Sequence, residues 1–235
     1  TTTNEFNVGD GYYLIVETAV GSVEGFDKDT FSLVMLDTAG KEAITVNTKE
    51  EFPESEKKVK DANDTEDTVS DWQDSADHDI GDAIDFKLEA TITENYDKYD
   101  SYFFALHDKE DTGLTFDAAS VKVYVDGALI ESGYELVTAG MKDDCTFEVV
   151  FKNLKDIASV KAGSKIVVTY KSVLNENAVV GNKGNVNKVY GEFSNNPNEE
   201  DDKGKTPDDT VIVFTYKLNV FKTDTQKTEE KRPFA

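Results

Sequence analysis

Three polar side chains stand where strand alternation directs them towards an apolar interior. Lys57 lies in a segment whose alternate residues share one face. Asp108 continues the apolar face that bears Leu106, and Asn195 continues the face that bears Phe193. If two sheets pack on these faces, an amine, a carboxyl group and a carboxamide come together in a dry space.

An amine, a carboxamide and an acid in such a space can form an amide bond between side chains and release ammonia. Burial lowers the pKa of a lysine, so that its neutral amine can attack, and raises the pKa of an acid, so that it can donate a proton to the carboxamide. Lys57, Asn195 and Asp108 are the predicted amine, amide and catalytic acid. Asn196 is the alternative amide, although alternation places it on the opposite face from Phe193.

The sequence lacks the motifs of the common enzyme active sites and metal sites. The sequence contains no glycine-rich phosphate loop, no His-Glu-x-x-His zinc helix and no Gly-x-Ser-x-Gly elbow. Cys145 is the single cysteine, and His78 and His107 are the only histidines, so no Cys/His cluster for zinc is expected. The acidic runs at 61–67 and 199–202 could bind calcium, but they lack the ligand spacing of a calcium loop and are interpreted as solvated charge. The sequence therefore predicts neither a metal nor a cofactor.

The charge balance restricts the partners. Asp and Glu number 48 against 25 Lys and Arg, which gives a net charge of −23 and makes nucleic acids and anionic membranes unfavourable partners. The 38% of hydrophobic residues still suffices for a packed core. No apolar run approaches the roughly 20 residues of a membrane span, and the first residues lack the features of a signal peptide. We expect the chain to be a fragment of a longer polypeptide.

The elements that must position the three side chains are strands. Apolar residues alternate with polar ones over 84–92 and 121–125, and Asp126-Gly127 suits a tight hairpin. Further strands are predicted at 146–151, 166–174, 188–194 and 211–221, with a short helix near Leu154. The polar stretches 54–82 and 195–209 are predicted to be long exposed connections, although a strand-like alternation surrounds Lys57. Strands at spacings near ten residues indicate an all-β, immunoglobulin-like β-sandwich.

Several blocks, taken in order, carry a resemblance to a known family. They are Gly-Tyr-Tyr-Leu-Ile-Val (11–16), Glu-Lys-Lys-Val-Lys-Asp (56–61), Asp-Trp-Gln-Asp-Ser-Ala-Asp (71–77), Gly-Leu-Thr-Phe (113–116), Val-Lys-Val-Tyr-Val-Asp-Gly (121–127), Leu-Asn-Glu-Asn-Ala (174–178), Phe-Ser-Asn-Asn-Pro-Asn (193–198) and Thr-Pro-Asp-Asp-Thr-Val (206–211). This order resembles the sortase-assembled backbone pilins of Gram-positive bacteria, and most closely their fimbrial isopeptide-forming domain. The resemblance implies an extracellular, cell-wall-anchored pilus.

The resemblance also implies a domain organisation. Residues 1–52 would be the end of a preceding pilin domain, 53–217 the isopeptide-forming domain, and 218–235 the first strand of a following collagen-adhesin B-type domain, so that the sandwich is flanked by parts of neighbouring β domains. It assigns Lys57 to the family lysine and Asp108 to the family acid. Lys222 would be the lysine of the following domain, unbonded in this chain. Lys49 is the candidate for the lysine that sortase joins to the next subunit.

The function implied is that of a structural shaft subunit that is not an enzyme and only cross-links itself. Its partners would be other pilin subunits, joined head to tail, the sortase transpeptidase, and a host or surface ligand. An adhesive tip or surface-binding protein built from the same modules is the alternative. The sequence identifies no ligand surface for such a protein.

Overall fold

The computed structural model describes residues 7–16, 33–40, 44, 52–63, 66, 68–141, 143–217, 221–224 and 227–233. The earlier strands are β1 (Tyr12–Val16), β2 (Leu33–Asp37), β3 (Glu54–Val59), β4 (Ala62–Asn63), β5 (Thr68–Val69), β6 (Ser75–Asp77), β7 (Ala83–Thr91), β8 (Phe104–Glu110) and β9 (Leu114–Val125). The later strands are β10 (Ala128–Ile130), β11 (Glu135–Val137), β12 (Phe147–Phe151), β13 (Lys165–Leu174), β14 (Asn185–Asn196), β15 (Glu199–Lys205), β16 (Asp209–Phe214), β17 (Phe221–Asp224) and β18 (Lys227–Pro233). Two 3₁₀ turns span Tyr96–Lys98 and Leu154–Asp156.

One layer of the fold is a five-stranded antiparallel sheet in the order β10-β9-β13-β7-β3. Strand β7 shows why it forms: its residues alternate strictly between buried and partly exposed positions, as the sequence predicts. The β9–β10 hairpin closes through Asp126 and Gly127, which have φ angles of 48° and 82°. Both angles are positive, as a type I′ turn requires, so the predicted hairpin is confirmed.

The other layer is a seven-stranded sheet in the order β11-β12-β8-β14-β16-β6, with β15 paired to β14. Strand β14 is long enough to pair with two strands along the same edge. Its first half pairs with β16 and its second half with β15. On its other edge it pairs with β8, where Val189 lies opposite Asp108 and Asn187 opposite Glu110. This register decides which side chains meet between the layers.

The two sheets pack face to face around one apolar core. Aromatic rings join the layers: Phe116 of β9 stacks on Phe147 of β12 at 4.0 Å between centroids, and Phe147 meets Tyr170 of β13 edge to face. The core residues come from strands of both sheets. The all-β sandwich predicted from alternation is therefore confirmed.

Four stretches differ from the expectations. The polar stretch 54–82 contains β3 to β6, and 195–209 contains β15, because edge strands need bury only part of one face. The strand predicted to reach residue 221 ends at Phe214. Residues 221–224 and 227–233 form two antiparallel strands, β17 and β18, and not a single strand. No helix in the described ranges has the length and apolar character needed to cross a membrane.

Candidate functional site

Lys57 is a fully buried lysine. It lies in β3, where the burial alternates so that Lys57 and Val59 face the core. Its Nζ contacts the carboxylate of Asp108 and lies 2.7 Å from the Tyr170 hydroxyl oxygen. The same Nζ lies 5.6 Å from the ring centroid of Phe86. An amine is thus held among aromatic rings and one acid, away from water.

Asp108 contacts the Lys57 amine from the opposite sheet. It lies in β8 between Phe147 of β12 and Val189 of β14, and it too is fully buried. Its Oδ2 contacts Lys57 and accepts a hydrogen bond of 2.9 Å from the Tyr170 hydroxyl. Its Oδ1 is buried and has no hydrogen-bond partner among the residues described. One carboxyl oxygen is therefore left for a further proton or partner.

The carboxamide beside these groups belongs to Asn187. Its Nδ2 donates to the Tyr170 hydroxyl at 2.9 Å and to Glu110 Oε1 at 3.2 Å. Because Lys57 Nζ and Asn187 Nδ2 bind the same hydroxyl oxygen, they lie no farther apart than the sum of two hydrogen bonds. Asn187 Oδ1 is buried with no hydrogen-bond partner in the described part of the chain.

Burial shifts the pKa values of Lys57, Asp108 and Glu110. It lowers the pKa of Lys57, although the charge of Asp108 opposes this effect, and it raises the pKa of Asp108 against the charge of Lys57. Burial and then the charge of Asp108 raise the pKa of Glu110 to about 8. A neutral amine and neutral acids are therefore favoured in this space.

Asn195, the amide predicted from the sequence, does not join this cluster. Its backbone oxygen accepts from the Tyr99 hydroxyl at 3.0 Å, and its Nδ2 lies 3.4 Å from Asp202. It stands six residues along β14 from Val189, the residue opposite Asp108, which is roughly 20 Å at ~3.3 Å per residue. Asn196 lies at the β14–β15 turn, where its Oδ1 accepts from the Asn198 amide. The structure therefore places neither Asn195 nor Asn196 beside Lys57.

The two other lysines with predicted roles, Lys49 and Lys222, are not part of this cluster as far as the structure describes them. Lys49 lies outside the described residues. Lys222 lies in β17, where its backbone pairs with Arg232 of β18. Neither position tests the role predicted for it.

The sequence did contain a signal for Asn187. Alternation along β14 places Asn187 on the same face as Val189 and Phe193, just as it does Asn195. Alternation alone cannot choose between the two ends of a strand. The choice depends on the β8–β14 register, which places Asn187 directly opposite Glu110 and Asn195 beyond the last β8 pair.

Comparison with known sequences finds one short match. No family model matches the chain. A curated protein, the trypsin-resistant surface T6 protein of Streptococcus pyogenes serotype M6, is 39% identical over 69 residues, which cover 24% of this chain and 13% of that protein.

Comparison with solved structures finds a shared fold. The T6 backbone pilin of serotype M6 Streptococcus pyogenes is 22% identical, with a TM-score of 0.59 over 97% of this chain and 50% of its own. The full-length major pilin SpaD from Corynebacterium diphtheriae is 22% identical, with a TM-score of 0.60 over 95% of this chain and 50% of its own. A C-terminal fragment of the major pilin GBS80 of Streptococcus agalactiae gives a TM-score of 0.58 at 21% identity, over 77% of this chain and 61% of its own.

The chain thus has a β-sandwich fold that these solved structures share. More particularly, its structural neighbours are major pilins of Gram-positive bacteria, as the sequence resemblance predicts. The chain spans about half the length of the T6 and SpaD pilins that it matches.

Proposed function

We propose that the chain is part of a structural backbone subunit of a sortase-assembled pilus on the cell surface. We further propose that it ties its two sheets together through an isopeptide bond between Lys57 and Asn187, with Asp108 as the catalytic acid. One observation carries the second proposal. The Lys57 amine and the Asn187 carboxamide bind the same Tyr170 hydroxyl in the interior of the sandwich, and Asp108 contacts both Lys57 and Tyr170.

The reaction starts with a proton transfer. Lys57 gives a proton to Asp108, so that a neutral amine faces a neutral acid, as burial favours. The amine nitrogen attacks the side-chain carbonyl carbon of Asn187. Protonated Asp108 then donates to the carboxamide oxygen, which stabilises the charge that develops there.

Collapse of this intermediate completes the bond. The new bond joins Nζ of Lys57 to Cγ of Asn187, and the bond from Cγ to Nδ2 breaks. The leaving nitrogen takes one proton from the attacking amine and departs as ammonia. The carboxamide oxygen returns its proton to Asp108, which stays neutral and keeps the proton that Lys57 first gave it. Glu110 Oε1 accepts a hydrogen bond from Asn187 Nδ2 and so orients the carboxamide for attack.

A covalent tie suits a fibre subunit exposed to tension and proteases. The sequence holds a single cysteine, so an internal disulfide is impossible. The tie would join β3, at the edge of one sheet, to β14, within the other, and would hold together all the strands between them. Subunits would join head to tail through sortase, with Lys49 as the proposed linkage lysine.

Intact-mass analysis tests the cross-link. The chain should weigh about 17 Da less than its sequence mass, from loss of one ammonia. Asn187→Ala and Asp108→Ala should each restore the full mass expected for their sequences. Asn195→Ala is the matched control and should keep the deficit. A full-mass unsubstituted chain, or a deficit that disappears in Asn195→Ala but persists in Asn187→Ala, would overturn the assignment.

A further inference from the structure

A second cluster of reactive side chains lies on the outer face of the seven-stranded sheet. His107 of β8 brings its ring next to Asp143 and Cys145, in the segment that precedes β12. One ligand atom from each of the three residues lies within 4.8 Å of the others. His107 is only 7% exposed, because this segment covers it.

The imidazole is directed at this cluster. Nδ1 of His107 lies 3.0 Å from Asp143 Oδ2 and 3.3 Å from Glu148 Oε1. Despite this proximity, Nδ1 makes no hydrogen bond within the described residues, and neither does the buried Oδ1 of Asp143. A buried imidazole nitrogen therefore has carboxylate oxygens beside it but no hydrogen bond, which is unusual in a folded protein.

Surrounding groups hold the ring in place. Nε2 of His107 lies 3.2 Å from Glu192 Oε2, and the Tyr190 ring stacks on the imidazole at 4.4 Å and 7°. The Tyr190 hydroxyl donates to Asp143, and the Cys145 thiol is hydrogen-bonded to the same carboxylate. Metal-binding histidines characteristically use their second nitrogen in this way, since a carboxylate there fixes the tautomer and the orientation.

We propose that His107, Asp143 and Cys145 form a binding site for a zinc-like divalent cation. Imidazole nitrogen, carboxylate oxygen and thiolate sulfur are the donor atoms that Zn²⁺ selects, whereas Mg²⁺ and Ca²⁺ prefer oxygen alone. The Glu148 carboxylate, 3.3 Å from Nδ1, adds negative charge beside these three ligands. At the usual zinc–ligand lengths, tetrahedral donors lie about 3.5 Å apart, so the widest gap must close by roughly 1 Å.

Binding is an exchange of a proton for a metal. The thiol of Cys145 loses its proton, the sulfur binds the cation, and no oxidant or reductant takes part. The two positive charges of the ion meet the carboxylates of Asp143, Glu148 and Glu192, in a chain whose net charge is −23. A protonated His107 that merely offsets these carboxylates is the competing reading, and it predicts no thiol-dependent metal binding.

Calorimetric titration of the metal-stripped 235-residue chain with Zn²⁺, in excess Mg²⁺, tests the site. We expect one equivalent to bind and about one proton to be released, read from buffers of different ionisation heat. Loss of a residue that only supports a ligand weakens zinc binding roughly 10- to 100-fold. Cys145→Ser and His107→Gln should each weaken it at least that much. His78→Gln is the matched control, because His78 is also buried near a carboxylate, Asp82, and should leave the affinity unchanged.

Cobalt gives a readout that does not depend on how a variant folds. Co²⁺ bound to the unsubstituted chain should show a thiolate-to-cobalt absorption band in the near ultraviolet. The proposal fails if zinc does not bind stoichiometrically in excess Mg²⁺, if the cobalt complex lacks that band, or if Cys145→Ser and His107→Gln fold and bind zinc as tightly as His78→Gln.

Discussion

Strand β8 presents two adjacent residues to two different environments. Asp108 faces the space between the sheets, while His107 faces outward beneath the segment before β12. Inside, burial and then the charge of Asp108 raise the pKa of Glu110 to about 8. Outside, burial acts on Asp143 too, but hydrogen bonds from Tyr190 and Cys145 outweigh it and hold the pKa at about 2.

The difference between the pKa values of Glu110 and Asp143 shows that the surroundings of a carboxyl group determine whether it is neutral or charged. Where water and hydrogen-bond donors are excluded, acid and amine become neutral, and neutral groups can condense into a covalent bond. Where donors remain, carboxylates keep their charge, and charged carboxylates attract cations. Two clusters that share one strand can therefore be tested independently.

The largest expected effect is the loss of the proposed Lys57–Asn187 isopeptide bond. Asn187→Ala should remove a tie that closes a loop of roughly 130 residues, for which chain entropy gives an upper guide of roughly 5 kcal/mol. Urea denaturation should show a much lower midpoint for Asn187→Ala than for the unsubstituted chain. Asn195→Ala keeps the tie, so it should lose only its own local contacts. Equal midpoints for Asn187→Ala and Asn195→Ala would contradict the interior bond.

A smaller effect concerns pH. The pKa of Glu110 rises from its ordinary 4.5 to about 8 in the folded chain, so the folded state binds the proton more tightly than the unfolded state. Its contribution to stability is therefore complete below about pH 4.5 and is lost as the pH rises through about 8. Each pKa unit corresponds to about 1.4 kcal/mol, so the loss is a few kcal/mol at most.

The substitution Glu110→Gln should reduce the loss of folding stability with rising pH. Urea midpoints recorded between about pH 5 and pH 9 should fall less with rising pH in Glu110→Gln than in the unsubstituted chain. Both proteins should first be weighed, so that only fully cross-linked samples are compared. An equal or steeper fall in Glu110→Gln would mean that the pKa of Glu110 is not raised in the folded chain.

The sequence predicts local structure better than register. The alternation of β7 and the Asp126-Gly127 turn follow from residue types alone, and the structure confirms both. Lys57 and Asp108 are each predicted to face the interior, and the structure brings them together. The position of Asn187 beside Lys57 could not be predicted, because the pairing between β8 and β14 is set by contacts across the sheet.

The outer cluster was beyond sequence reasoning for a similar reason. His107 and Cys145 are far apart in the chain, and neither belongs to a motif with metal-ligand spacing. They meet because Phe147 pairs with Asp108, which brings the segment before β12 onto the exposed face of β8. Alternation correctly turns His107 away from the core, but it cannot show what covers that face.

The smallest expected effect is that of Tyr190→Phe, which tests whether the clusters on the two faces of β8 are independent. Tyr190→Phe keeps a ring against His107 but removes the hydroxyl that donates to Asp143. Because that hydroxyl only positions a ligand, its loss should weaken zinc binding by roughly 10-fold, at the low end of supporting-residue effects. The interior mass deficit should persist in full, since Tyr190 lies on the other side of the sheet. Zinc binding as weak as that of His107→Gln, or a restored mass, would mean that the two clusters are not independent.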